Sequence, residues 1–133
     1  MPIPIDKAIQ MVRTAHGEAA RLDIAVTAVV VDESGRTVAL GRMDRARPIT
    51  VDMASNKAYT AASFQQPTEQ LSGVAAQTWF QSLVVSSNGR IMPGAGALPV
   101  VEGGNVVGAI AVSGGTEDQD QKCAEVALAA YNG

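Results

Sequence analysis

The chain has few of the residues that form cross-links or hold metal ions. Among its 133 residues are 1 cysteine, Cys123, and 1 histidine, His16. A single cysteine excludes an internal disulfide and argues against a cysteine-based zinc site, and a single histidine cannot build a multi-histidine metal site. We therefore expect no metal ion held by side chains alone. His16 is left only as a candidate ligand for haem iron.

Aromatic residues and positive charge are also scarce. Aromatic side chains make up 4% of the chain, so the core must be built mainly from aliphatic residues, and the formal net charge is −3. One local basic cluster exists, but no aromatic residues are interleaved with it; it consists of Arg36, Arg42, Arg45 and Arg47. Surfaces that bind single-stranded nucleic acid combine a basic groove with stacking aromatics. We therefore expect no nucleic-acid partner.

Long apolar runs are absent from the sequence. No run approaches the ~20 residues that span a bilayer, and the first residues lack the basic and then apolar pattern of a secretory signal. We therefore expect no membrane partner and a cytoplasmic location. With 133 residues, 47% of them hydrophobic, the chain is long enough to bury one core. Residues 1–133 are expected to form a single domain.

The first half of the chain changes from a helical to a strand pattern. Apolar residues recur at helical spacing over residues 5–22, which predicts an amphipathic helix. Residues 24–31 form a nearly continuous β-branched run, typical of a strand buried on both faces. A short turn containing glycine leads to a second predicted strand, residues 37–42, so the two form a hairpin. Alanines at helical offsets over residues 52–64 predict a second helix.

The second half contains a second hairpin and a closing helix. Residues 67–71 predict a short helical turn, whereas residues 74–85 fit either a helix or a strand. Two short apolar runs, residues 98–101 and 106–112, flank the sequence Glu-Gly-Gly-Asn and predict a hairpin. A helix is predicted from residue 116 onward. This order of elements predicts an α/β fold of the α+β type, with a mainly antiparallel sheet and helices against its faces.

The segment Ser113-Gly114-Gly115-Thr116, here called the Ser-Gly-Gly-Thr segment, lies where the last predicted strand passes into the closing helix. Thr116 is a suitable N-cap, and Gln119 three residues later completes a capping box. The two glycines also leave backbone N–H groups that can bind an anion at a helix start. The sequence allows both interpretations, ordinary capping and a ligand site.

Three charged side chains and one further acid complete the candidate site. Arg42 and Asp44 follow the second predicted strand, where an arginine can bind a carboxylate or pair with a neighbouring acid. Lys57 lies on an alanine-rich helix, where it can act as a base if it is buried or extend to solvent if it is not. Lys57 or Asp120 would move a proton in any reaction on a bound acid.

Several stretches, taken in order, resemble the GlcG/HbpS-like haem-binding family. They are residues 24–35, 41–44, 54–61, 96–100, 107–116 and 119–120. The resemblance implies an α-β-α sandwich with a central antiparallel sheet that assembles into homo-oligomers. Related domains form the C-terminal part of PduO-type corrinoid adenosyltransferases, and some members bind haem.

Three functions remain open at this point. The first is binding of a small carboxylate or similar anion, in an enzyme of small-acid catabolism, by Arg42, Asp44 and the Ser-Gly-Gly-Thr segment, with Lys57 and Asp120 as catalytic residues. The second is a haem-binding or tetrapyrrole-binding oligomer with His16 as ligand. The third is an accessory oligomer without catalytic activity.

Overall fold

The computed structural model describes residues 2–133, and these residues form four helices and four strands. In chain order the elements are α1 (Ile5–Arg21), β1 (Thr27–Asp32), β2 (Thr37–Arg42), α2 (Ile49–Phe64), a 3₁₀ helix (Thr68–Val74), α3 (Thr78–Ser86), β3 (Ala97–Glu102), β4 (Asn105–Ser113) and α4 (Glu117–Asn132). The order of secondary structure agrees with the sequence prediction, and most of the undecided stretch 74–85 belongs to helix α3.

The strands form one antiparallel sheet in the order β2-β1-β4-β3. Each predicted hairpin is present, and the two hairpins join through β1 and β4 in the middle of the sheet. β1 is buried along nearly its whole length, as its β-branched sequence predicted, because helices cover both of its faces.

Alternate residues of β1 pack against different helical layers. Ala28 and Val30 belong to the apolar cluster that includes the buried faces of α1 and α4, whereas Val29 and Val31 belong to the cluster that includes α2. This alternation follows from the two-residue period of a strand. The fold is therefore the expected α-β-α sandwich.

Small side chains bring α2 close to the sheet. Its four buried alanines lie at the spacing of one helical face; they are Ala54, Ala58, Ala61 and Ala62. They pack against the small residues Ala109 and Ala111 of β4. A long side chain next to this face of α2 is enclosed by the sheet, and Lys57 is therefore buried.

Helix ends account for the small differences from the predicted boundaries. α2 begins at Ile49, three residues before the predicted start, because Pro48 at the N-cap already has φ −53° and ψ −38°, values that a helix requires. No helix among residues 2–133 is both long enough and apolar enough to cross a membrane.

Candidate functional site

Lys57 and Asp120 form a buried pair between α2 and α4. Each residue is 4% exposed, and Lys57 Nζ lies 3.5 Å from Asp120 Oδ2. The same Nζ donates hydrogen bonds to the carbonyl oxygens of Val112 at 2.7 Å and of Ala95 at 3.2 Å. The ammonium group therefore joins α2, β4, α4 and the loop before β3.

The interpretation in which Lys57 extends to solvent is wrong. The alanine face of α2 lies so close to the sheet that the lysine stem is enclosed, and Nζ finds its acceptors inside the protein. Burial lowers the pKa of Lys57 and raises the pKa of Asp120, while each charge partly counteracts the effect of burial on the other group. The pair is thus held in an environment that disfavours both charges.

The Ser-Gly-Gly-Thr segment caps α4 as the sequence predicted. The Thr116 hydroxyl accepts a hydrogen bond from the Gln119 amide at 3.2 Å, and Gln119 Oε1 accepts one from the Thr116 amide at 2.9 Å. The Gly115 amide donates to Asp120 Oδ1 at 2.8 Å. Two amides that were expected to bind an anion are therefore already bonded to side chains of the same helix. This part of the anion-site hypothesis needs correction.

Close packing explains the first glycine of the segment. Gly114 has φ +146°, and a Cβ atom at this position would lie 2.4 Å from the carbonyl oxygen of Ala25. No side chain fits there without a backbone shift. Next to it, the Ser113 hydroxyl is buried and has no hydrogen-bond partner among residues 2–133.

Arg42 is the last residue of β2 and Asp44 lies in the connection to α2, and both are exposed. Arg42 Nε donates to the carbonyl oxygen of Ala46 at 3.1 Å, which holds the turn. Asp44 lines a groove of about 550 Å³, here called the Met43 groove. The lining residues of this groove are Ala20, Asp23, Ile24, Ala25, Met43, Asp44 and Arg45.

The grooves of the structure do not support a single pocket shared by Arg42, Lys57 and the Ser-Gly-Gly-Thr segment. None of five surface grooves on these residues is lined by Lys57, Asp120, Arg42 or any residue of the segment. The structure does bring Lys57, Asp120 and Gly115 together, but their polar groups satisfy one another.

His16 lies partly buried where α1 crosses β2. Its Nε2 lies 2.8 Å from the carbonyl oxygen of Gly41. Because a carbonyl can only accept, Nε2 must donate, and in the neutral imidazole Nδ1 then carries the free lone pair. A Cβ atom on Gly41 would lie 2.8 Å from His16 Cε1 and 2.7 Å from Val12 Cγ1. The sequence prediction missed Gly41, although a glycine within a strand often marks a close approach of this kind.

The remaining metal-binding residue types give no further site. No group of three or more His, Cys, Asp or Glu side chains that could hold a metal ion occurs within residues 2–133. Cys123 is fully buried, and burial raises the pKa of its thiol to about 11. The thiol is therefore a packing group of α4 rather than a nucleophile.

Comparison with known proteins gives one consistent family. The family model described as "Haem degrading protein HbpS-like" matches residues 3–129. An uncharacterized 15.0 kDa protein from the dhaT-dhaS intergenic region of Citrobacter freundii is 35% identical over 131 residues, which cover 98% of this chain and 92% of that protein.

Two crystal structures share the whole fold. Klebsiella pneumoniae protein ORFY is 34% identical with a TM-score of 0.92, and the match covers 98% of this chain and 90% of that one. PduOC, crystallised as a haem complex, is 27% identical with a TM-score of 0.90, and the match covers 98% of this chain and 95% of that one. These matches agree with the resemblance seen in the sequence, and the chain belongs to the HbpS-like family.

Proposed function

We propose that this protein binds haem and that His16 would hold the iron. The observation that carries the proposal is the likeness to PduOC, whose fold was crystallised with haem and matches 98% of this chain. The family description, which names haem, also supports haem binding. Both observations favour haem over the small-carboxylate enzyme that was our first interpretation of the sequence.

The hydrogen bond of His16 supports the role of a ligand. Histidines that bind metals usually donate their other ring N–H to a carboxylate, a carbonyl or water, which fixes the tautomer and the ring orientation. His16 does this through Nε2 to the Gly41 carbonyl, and its Nδ1 makes no hydrogen bond to any of residues 2–133. The imidazole is therefore set up to offer Nδ1 to iron.

The Met43 groove begins one helical turn after His16, at Ala20, and offers a surface for the macrocycle. Its apolar lining includes Ile24 and Met43, and its edge carries Arg45. An arginine at the rim can form a paired hydrogen bond with a propionate, and we assign this role to Arg45 with Arg42 beside it. Haem, when bound, would supply an iron centre for redox or oxygen chemistry.

Haem titration tests this proposal directly. We expect one equivalent of haem per chain to give a Soret band that shifts on binding. The variant His16→Asn keeps an N–H donor for the Gly41 carbonyl but removes the nitrogen ligand, so it should fold normally and lose the shifted band. If His16→Asn gives the same haem-bound spectrum as the wild type, His16 is not the ligand. The absence of a stoichiometric spectral change in the wild type would refute haem binding itself.

A small-acid site remains the second candidate, and it rests on the buried pair. Lys57, Asp120 and the unpaired hydroxyl of Ser113 lie on adjoining parts of α2, β4 and α4. Binding there would require α4 to move, because the pair is closed to solvent. A thermal-shift screen with glycolate and lactate tests this candidate. If Lys57→Ala and Asp120→Asn leave any acid-induced shift unchanged, these residues have no such role.

We also propose that the protein forms a homo-oligomer. Large apolar side chains are exposed on separate elements, among them Leu40 at 41% on the edge strand β2 and Val85 at 78% on α3. Leu40 lies on an edge strand, whose free backbone groups can pair with a strand of another copy. Light scattering coupled to gel filtration, with and without haem, would give the mass. A monomer under both conditions would refute the proposal.

A further inference from the structure

A polar groove lies at the end of the β1–β2 hairpin that is opposite to the Met43 groove. We call it the Arg36 groove. It has a volume of about 560 Å³ and is lined by Ser34, Gly35, Arg36, Thr37, Tyr59 and Arg90. The haem proposal uses none of these residues.

Tyr59 forms a rigid wall of the Arg36 groove. Gly35, with φ +81°, approaches the ring so closely that a Cβ atom there would lie 2.5 Å from Tyr59 Cδ1. The guanidinium carbon of Arg90 lies 4.2 Å from the centre of the same ring, within the range of a cation–π contact. Arg90 Nε donates to the carbonyl oxygen of Ser87 at 3.1 Å. The side chain is thereby anchored, and its two terminal nitrogens remain available.

The two arginines of the groove form no ion pair with any of the residues that the structure describes. Among residues 2–133, no carboxylate oxygen lies within 4.0 Å of a nitrogen of Arg36 or Arg90. One oxygen of the nearby Asp32 carboxylate is occupied by the turn. Its Oδ1 accepts from the Ser34 amide at 2.9 Å, the Ser34 hydroxyl at 2.7 Å and the Arg36 amide at 3.0 Å. Burial opposes ionisation of this carboxyl, but hydrogen bonds from the turn and the charge of Arg36 lower its pKa. Neither guanidinium group forms an ion pair within residues 2–133, although Asp32 partly offsets the charge of Arg36.

An apolar groove adjoins the polar one. It has a volume of about 440 Å³, and Tyr59 and Arg90 line both grooves. Its other walls include the apolar side chains of Phe64, Leu83 and Ile91. The surface thus presents two guanidinium groups and, directly beyond the shared Tyr59–Arg90 wall, a hydrophobic trough.

We propose that Arg36 and Arg90 bind the anionic group of an amphipathic small molecule, whose apolar part lies against Phe64, Leu83 and Ile91. A planar carboxylate suits the free terminal nitrogens of Arg90, since guanidinium groups bind carboxylates through paired hydrogen bonds. The hydroxyls of Tyr59 and Thr37 are further donors at the polar end. This site is separate from the proposed haem site and does not depend on it.

Calorimetric titration with octanoate at low ionic strength tests the proposal. We expect Arg36→Gln and Arg90→Gln each to weaken the octanoate affinity by roughly tenfold or more, because each removes a charged hydrogen-bond donor. Leu83→Ser should weaken it by about tenfold through loss of apolar contact. Arg13→Gln, a matched change of an exposed arginine on α1, should leave the affinity within about twofold of the wild type.

Comparison of ligands separates the two halves of the site. Acetate, which has the same anionic group and no chain, should bind at least tenfold more weakly than octanoate. His16→Asn should not change octanoate affinity, which would place the binding away from the haem site. Equal affinities for acetate and octanoate would refute the apolar part. Unchanged octanoate affinity in both arginine variants, or no octanoate binding to the wild type, would refute the site.

Discussion

Replacing Lys57 by methionine keeps most of the apolar stem of the side chain and removes its ammonium group. In the wild type, this group is bonded to two backbone carbonyls and to Asp120 inside the protein. After the change, Asp120 is a buried carboxylate with no cation beside it. Only the Gly115 amide, 2.8 Å from Oδ1, remains as a strong partner.

Removal of one member of a buried ion pair costs about 3–5 kcal/mol. Because Asp120 can take up a proton and keeps its bond to Gly115, we place Lys57→Met near the lower end, at about 3 kcal/mol. Asp120→Asn leaves a buried ammonium with two carbonyl partners and should cost about 2 kcal/mol. The double variant loses both charges, and its asparagine oxygen can still accept from the Gly115 amide.

The double variant is therefore expected to lose less unfolding free energy than the sum of the losses of the two single variants. We expect a total cost of about 2–3 kcal/mol rather than about 5, which is a coupling of roughly 2–3 kcal/mol. Urea unfolding at neutral pH, followed by circular dichroism and by the fluorescence of Trp79, measures all four free energies. Lys122→Met on the exposed side of α4 is the control and should change stability by less than about 0.5 kcal/mol. Additive costs within about 0.5 kcal/mol would show that the two charges do not depend on each other.

Three further predictions test individual contacts. Thr116→Ala removes the hydroxyl that accepts from Gln119 and should cost about 1 kcal/mol of unfolding free energy in a urea titration. Gly41→Ala places a methyl group against His16 and should cost about 1–3 kcal/mol through overpacking while also weakening haem binding, and a normal Soret titration would contradict this. Burial raises the pKa of Asp120 above 3.8, so between that value and the raised pKa the folded chain holds more protons than the unfolded chain. The stability of the wild type should therefore fall relative to Asp120→Asn as pH rises through this window, which thermal unfolding at a series of pH values would measure.

Periodicity and turn chemistry were sufficient to predict the order of elements. The β-branched run of β1 is typical of a strand buried between two helical layers, and its successive side chains pack alternately against the two layers. The stretch around Trp79 and Phe80 was ambiguous because a short apolar run fits a helix and a strand equally well. Its helical state follows from tertiary contact, since Phe80 stacks on Phe64 with ring centres 6.0 Å apart.

The environment of Lys57 could not be derived from local sequence. An alanine-rich helix predicts close packing, but the identity of the acceptors depends on residues 38 to 63 positions away. The contact between His16 and Gly41 also joins residues that are distant in the sequence, at a separation of 25 positions. Both side chains were recognised as candidates from residue type alone, and only the fold assigns their partners.

The Ser-Gly-Gly-Thr segment shows why a capped helix start and an anion site compete. An amide that bonds to a side chain of its own helix cannot also bond to a ligand, and here Gly115 and Thr116 are bonded to Asp120 and Gln119. The tethered acceptors have an advantage, because an external anion must lose translational and rotational freedom on binding. Displacement of Asp120 would also leave Lys57 without its counter-charge. We therefore place the proposed haem site on the α1 side of the sheet, where Nδ1 of His16 makes no hydrogen bond to residues 2–133.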